Sequence, residues 1–347
     1  MSDSEQQRDL SRRNFIRIGA AGGAIAGLGA LAAVKITRDG KQTSDDAENP
    51  FEYDLTELAH IDPALMRYRP ADTIARNLKD AVDLQASADG RFHIISADRV
   101  ITYDENGAVV ATINLSAPAH CLALDDSGAA YVGFTDHVEV FDAKGARRAA
   151  WAPQGDRAYF TSLAVSADHV FIADGGNRVV LHYNVAGELI GRIAEKDPQR
   201  HIDGLLIPSP YFDVAVGPSG HLWVANTGRH RLEAFTFDGD LVRTWGHATM
   251  AIEGFCGCCN PCHFTFLPDG RFVTCEKGLM RVKVYRADGT FDGVVAGPAD
   301  FDQDVAEGLS VTPAAPGVGP IAAADAAGRI LVLNPATGIL QRFEPIA

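Results

Sequence analysis

Five of the chain's six cysteines fall between positions 256 and 275. Residues 254–263 read Gly-Phe-Cys-Gly-Cys-Cys-Asn-Pro-Cys-His, so that Cys256, Cys258, Cys259 and Cys262 stand in a C-x-C-C-x2-C run, and Cys275 follows. Thiolates select iron–sulfur clusters, zinc or Cu(I), and a run of closely spaced cysteines with a downstream partner suits a cluster that takes four sulfur ligands. Cys256, Cys258, Cys259, Cys262 and Cys275 are therefore the candidate metal ligands. An iron–sulfur cluster is the first expectation, with zinc or Cu(I) as alternatives. Disulfide bonding competes with this reading. It leaves one of the five thiols over, and Cys121 lies far away in the sequence. A redox dithiol is the third reading, although no βαβ pattern surrounds the run as it does in C-x-x-C oxidoreductases.

Other chemistry is scarce. The chain has no G-x-S-x-G elbow, no G-x-x-x-x-G-K-[ST] phosphate loop and no H-E-x-x-H helix, and no catalytic residue is assigned. The segments Asp174–Arg178 and Asn226–Arg231 carry Asp, Asn and Gly that could hold calcium or a sugar. Turn chemistry accounts for the same residues, because they supply side-chain hydrogen bonds and positive φ. Trp151, Trp223 and Trp245 fit packing between repeated units.

The elements that must position the cysteines are visible as a repeat. Turn glycines between short alternating apolar runs recur at Gly107, Gly145, Gly187, Gly239, Gly289 and Gly338. The text around them is alike, as in VEVFDAKGARRAAW and VKVYRADGTFDGVV, which is a β-hairpin pattern. A second hairpin precedes each, as in HFTFLPDGRFVTCEKGLMRVKVY, so each unit holds four short strands. Such units close radially into a propeller. The phrases VANTGRHRLEAFTFDGDLVRTWG and IADGGNRVVLHYNVAGELIGRI resemble NHL repeats. The resemblance implies an all-β, six-bladed β-propeller of the NHL/TolB-like kind, with four antiparallel strands per blade, over residues 81–347. It also brings a lyase- or lactonase-like enzyme into view, with a divalent cation at the channel. That enzyme reading wants His, Asp or Glu near the first strands, where the sequence is expected to supply mainly thiols. A plain interaction scaffold with a disulfide-stapled loop is the remaining alternative.

Within this frame the cysteine run is the loop that leads into the first strand of blade five. Aligned without a gap on repeat four, the cysteines of the run replace Leu206, Pro208, Ser209 and Phe212. A two-residue turn at Asp269-Gly270 would oppose Phe264 to Cys275. It would make Cys262 and Cys275 diagonal neighbours and turn His263 away from them. In an extended chain Cys258 and Cys259 would point to opposite sides.

Ahead of the repeats, Ser11-Arg12-Arg13-Asn14-Phe15-Ile16-Arg17 precedes a Gly/Ala-rich apolar run, Ile18 to Val34, and resembles a twin-arginine (Tat) export signal. That resemblance implies passage through the Tat translocase as a folded protein and a periplasmic or other extracytoplasmic location. Residues 1–34 are a cleaved signal, with Ala30-Leu31-Ala32 as the cleavage site, or an N-terminal anchor. The membrane is met only through this segment. Gly27-x-Gly29-x-x-Ala32 matches a dinucleotide fingerprint, but no strand precedes it. Residues 35–50 read as a disordered linker. Residues 51–80 read as a lead-in or cap, with helix-like spacing from Ile74 to Val82.

The 347-residue chain is 46% hydrophobic and has a formal charge of −14. It is long enough to bury a core without disulfides. The acidic balance argues against nucleic acid and against anionic membrane surfaces, and it suits a redox or other protein partner with a basic face.

Overall fold

A computed structural model describes residues 55–78, 80–209, 211–301 and 319–346. Twin-arginine residues, the apolar run, the linker and the lead-in's first residues lie outside them, so the expectations placed there are not addressed by the fold. Among the described residues no helix is long and apolar enough to cross a membrane.

Six four-stranded antiparallel sheets form the six blades. Blade one spans Ala81–Asn114, blade two Cys121–Ala150, blade three Phe160–Ile193, blade four Val214–Trp245 and blade five His263–Ala296. Blade six has three strands from the end of the chain, Ile321–Ala324, Ile330–Asn334 and Ile339–Pro345. Its fourth, outer strand is Tyr68–Ala75, which pairs antiparallel with Ile339–Pro345. This corrects the expected boundary at residue 81 and the expected helical spacing from Ile74 to Val82. The segment 68–75 is a strand because it completes a sheet edge that would otherwise be bare, and edge closure overrides a local helical pattern. For the same reason Gly338 turns between the second and third strands of its blade, whereas the other five repeat glycines turn between the third and fourth. All six adopt positive φ, as their turns require.

The apolar alternation of each blade meets its neighbour's. Trp151 stacks on Tyr183 of blade three at 5.1 Å between ring centroids, and Trp245 lies 4.8 Å from Tyr285 of blade five. These contacts between blades agree with the role expected of both residues.

Candidate functional site

The loop into blade five is held by its backbone. Glu276, at the end of the blade's second strand, accepts the N–H of Cys256 at 3.0 Å. Lys283 donates to the carbonyls of Ile252 and Gly254. Arg281 pairs with Glu276 at 2.6 Å and Lys283 pairs with it at 3.0 Å. The three side chains are at most 1% exposed. Burial pulls Lys283 down to about 8 against the opposing charge of Glu276, and its ammonium lies 4.8 Å from the Phe255 ring centroid. Further along, the Asn260 amide donates to the carbonyls of Cys256 and Lys277 and accepts the N–H of Lys277. His230 of blade four bonds the Gly257 carbonyl.

The sulfurs hang from this frame in different surroundings. Cys256 accepts a hydrogen bond from Arg281 at 3.0 Å. Cys258 is exposed and Cys259 is 3% exposed, yet their Sγ atoms are 3.1 Å apart. The expectation that these two point apart fails because residues 257–259 form a bend, not an extended segment. Cys262 donates its N–H and its thiol to the Cys275 carbonyl, and both side chains belong to one buried apolar cluster with Tyr68 and Phe301. A Cβ on Gly319 would stand 2.6 Å from the Cys262 sulfur, so that neighbour has to be glycine. Burial pushes Cys262 up to about 12 and also raises Cys275, Cys256 and Cys258.

The expected hairpin register is off by one residue. Leu267 donates to the Arg271 carbonyl and Gly270 to that of Leu267, so the turn has three residues, Pro268 to Gly270. Pro268 presets the turn and Gly270 supplies its positive φ, the usual chemistry of a three-residue hairpin. His263, not Phe264, therefore opposes Cys275. Cys262 still reaches Cys275, from just before the strand begins.

The first strands also supply polar side chains, of which Asp83, Ser162 and Asp213 were not expected from the sequence. Asp83, Cys121, Ser162, Asp213 and His263 occupy one equivalent position in blades one to five, and all are buried. Asp83 accepts the N–H of Leu122 in blade two, and Asp213 accepts that of Phe264 in blade five and the Ser162 hydroxyl. Each carboxylate thus ties its strand to another blade. His263 Nδ1 lies 2.8 Å from Asp213, an electrostatic contact along which its N–H does not point, and Nε2 bonds the Ala322 carbonyl at 2.9 Å. Burial alone would depress His263, but Asp213 and Asp83 hold it up at about 9, while burial lifts Asp83 to about 6. Gly133 leaves room for Cys121, whose sulfur would be 2.4 Å from a Cβ there. The repeat could have revealed these positions, since Asp83, Cys121, Asp213 and His263 each stand seven residues before a hairpin glycine.

Of these, Asp213 and His263 reach the wall of a central cavity of about 180 Å³, which Leu84, Ala123 and Ala323 also help to line. That is below the roughly 300 Å³ at the small end of ligand pockets. Asp174 and Asn226 act as loop clamps: Asp174 accepts the N–H groups of Tyr159 and Asn177, and Asn226 accepts that of Leu206. Among the described residues no three His, Cys, Asp or Glu side chains gather round one point as an ion would need.

Four-stranded blades in a closed ring of six define a β-propeller. Residues 213–235 match the NHL repeat family. No curated protein matches the chain. Among solved structures, a streptogramin B lyase is similar with a TM-score of 0.54 and 11% identity, covering 82% of this chain and 100% of the other. A catalytically inactive variant of virginiamycin B lyase from Staphylococcus aureus with quinupristin gives a TM-score of 0.50 and 10% identity, covering 77% of this chain and 80% of the other. The WD40 β-propeller domain of Doa1 gives a TM-score of 0.50 and 14% identity, covering 80% and 97%. At these identities the likeness concerns the fold, which hosts unrelated functions.

Proposed function

We propose that this is an exported NHL-type propeller that holds a thiolate-bound metal centre at the blade-five mouth, in an electron-transfer or binding role. The carrying observation is that the loop is gripped through its backbone by Glu276 and Lys283, so its sulfurs are not needed to hold it in place. The sulfur donors are of the type a thiophilic metal takes, and the loop would have to draw them together, since among the described residues no three converge on one point. Cys258, Cys259, Cys262 and Cys275 are the four ligands, and Cys256 is the spare, since its sulfur already accepts from Arg281. When bound, an iron–sulfur cluster would supply one-electron chemistry, and zinc or Cu(I) would supply a binding centre without it. The chain's own part is to orient the sulfurs and to exclude water from Cys262 and Cys275. Because burial raises these thiols, ligation must release protons, and affinity will rise with pH. Export by the twin-arginine route agrees with a centre inserted before crossing, and the acidic surface agrees with a basic partner.

Protein purified without oxygen should be coloured and carry iron, or else zinc or copper, near one site per chain. Cys262→Ser should abolish the metal and Cys256→Ser should keep it. A metal-free, fully folded sample with stoichiometric disulfides among Cys256, Cys258, Cys259, Cys262 and Cys275 would overturn the proposal. The lyase-like alternative draws on the carboxylates and histidine at the channel. His263 is buried, with Nε2 bonded to the Ala322 carbonyl and Nδ1 against Asp213, and the cavity is small, so the channel offers little to a substrate.

A further inference from the structure

Two sulfurs of the blade-five loop are much closer than any role in packing requires. Cys258 and Cys259 bring their Sγ atoms to 3.1 Å, about an ångström beyond the roughly 2.05 Å of a disulfide bond. Their surroundings differ in a useful way: Cys258 is exposed, and Cys259 is buried beside it. The flanks favour one arrangement of the pair. Gly257, on one side, has a φ of +76°, and Asn260, on the other, is tied to Cys256 and Lys277 by three hydrogen bonds. The other cysteines lack this combination. Cys256 bonds Arg281, Cys262 bonds the Cys275 carbonyl, and Cys121 and Cys275 are fully buried.

We propose that Cys258 and Cys259 are a redox pair that closes reversibly to a vicinal disulfide by exchange with an external disulfide. The Cys258 thiolate attacks one sulfur of the external disulfide, its S–S bond breaks, and the first thiol leaves with the proton Cys258 gave up. Cys259, losing its own proton, then attacks the mixed disulfide at Cys258 and releases the second thiol. Two protein thiols are oxidised to one disulfide, and one external disulfide is reduced to two thiols. Adjacent residues keep their Cα atoms about 3.8 Å apart, below the roughly 4.4 Å at which disulfides are usually unstrained. Strained, exposed disulfides are the reducible kind, so this pair is a switch and not a staple.

The proposal rests on the dipeptide's geometry and not on the metal reading, so the test uses full-length protein stripped of metal. Reduced protein is titrated with oxidised glutathione, quenched with N-ethylmaleimide after denaturation and mapped by mass spectrometry. The expected result is loss of two thiols, both at Cys258 and Cys259, with no glutathione retained and full recovery under mild reductant. Phenylarsine oxide should bind the reduced protein one to one and the oxidised protein not at all. Cys259→Ser should trap a stable glutathione adduct on Cys258, while Cys256→Ser and Cys275→Ser should still lose the same two thiols. Oxidation mapped to any other pair, a glutathione adduct persisting on the wild-type protein, or no loss of thiols would overturn it.

Discussion

The loops into blades four and five align without a gap from Gly204 and Gly254 onward and are gripped there at equivalent points by different chemistry. In blade four a neutral amide does both jobs: Asn226 accepts the N–H of Leu206 and donates to the carbonyl of Gly204. It is steadied by Glu233, which pairs with Arg231. In blade five the residue matching Asn226 is Glu276, which can only accept. It takes the N–H of Cys256, and the Gly254 carbonyl is then served by Lys283, which stands where blade four has Glu233. Arg281 matches Arg231 and pairs with Glu276 in place of the carboxylate that Glu233 supplies in blade four. The two exchanges only make sense together. A donor lost at one position is restored at the other, and a neutral clamp becomes a buried ionic one under the cysteine loop.

The largest effects should come from breaking the ionic clamp. Glu276→Asn leaves two buried cations without a carboxylate, and Lys283→Glu crowds two carboxylates round one arginine. Each should cost about 3–5 kcal/mol. Glu276→Asn combined with Lys283→Glu transplants blade four's solution and should recover most of that loss in urea unfolding. If the double variant is as unstable as the sum of the singles, the two clamps are not equivalent. Asn226→Ala, at the neutral clamp, should cost only about 1–3 kcal/mol.

A middling effect separates the ionic groups by pH. Lys283 has its folded value near 8, below its usual 10.5, so the unfolded chain binds more protons between these limits and stability rises with pH there. His263 is held near 9, above its usual 6.5, so its stabilisation is complete below pH 6.5 and is lost as pH rises through about 9. Denaturation scans from pH 6 to 11 should show the fall vanish in Asp213→Asn and the rise vanish in Lys283→Gln. Blade four's clamp, having no lysine, adds no such rise.

The smallest effect concerns Cys256, where blade four has Leu206. Arg281 retains Glu276 when this sulfur is removed, so Cys256→Ala should cost about 1 kcal/mol in urea unfolding.

Blade number and strand count were legible in the sequence because each hairpin is punctuated locally, by glycines such as Gly107 and Gly289 that must adopt positive φ. The outer strand of blade six was not, because Tyr68–Ala75 finds its partner at the other end of the chain and local spacing does not report distant pairing. The cysteine loop was placed at the right strand end, but its register hinged on whether Pro268 belongs to the turn, and one residue decided which side chain faces Cys275. The channel carboxylates were readable in principle. They carry no motif, and only the alignment of Asp83, Cys121, Asp213 and His263 on successive hairpin glycines singles them out. The exchange of Asn226 and Glu233 for Glu276 and Lys283 is likewise written in the repeat, but its meaning depends on which backbone groups the side chains reach.

The strand pairing of Tyr68–Ala75 with Ile339–Pro345 makes the ring a circle latched by an early and a late piece of the same polypeptide. During synthesis the first of these strands must wait, unpaired, until nearly the whole of blade six has left the ribosome. The final sheet is therefore assembled after the other five blades have been made, and everything that depends on a closed circle comes after it.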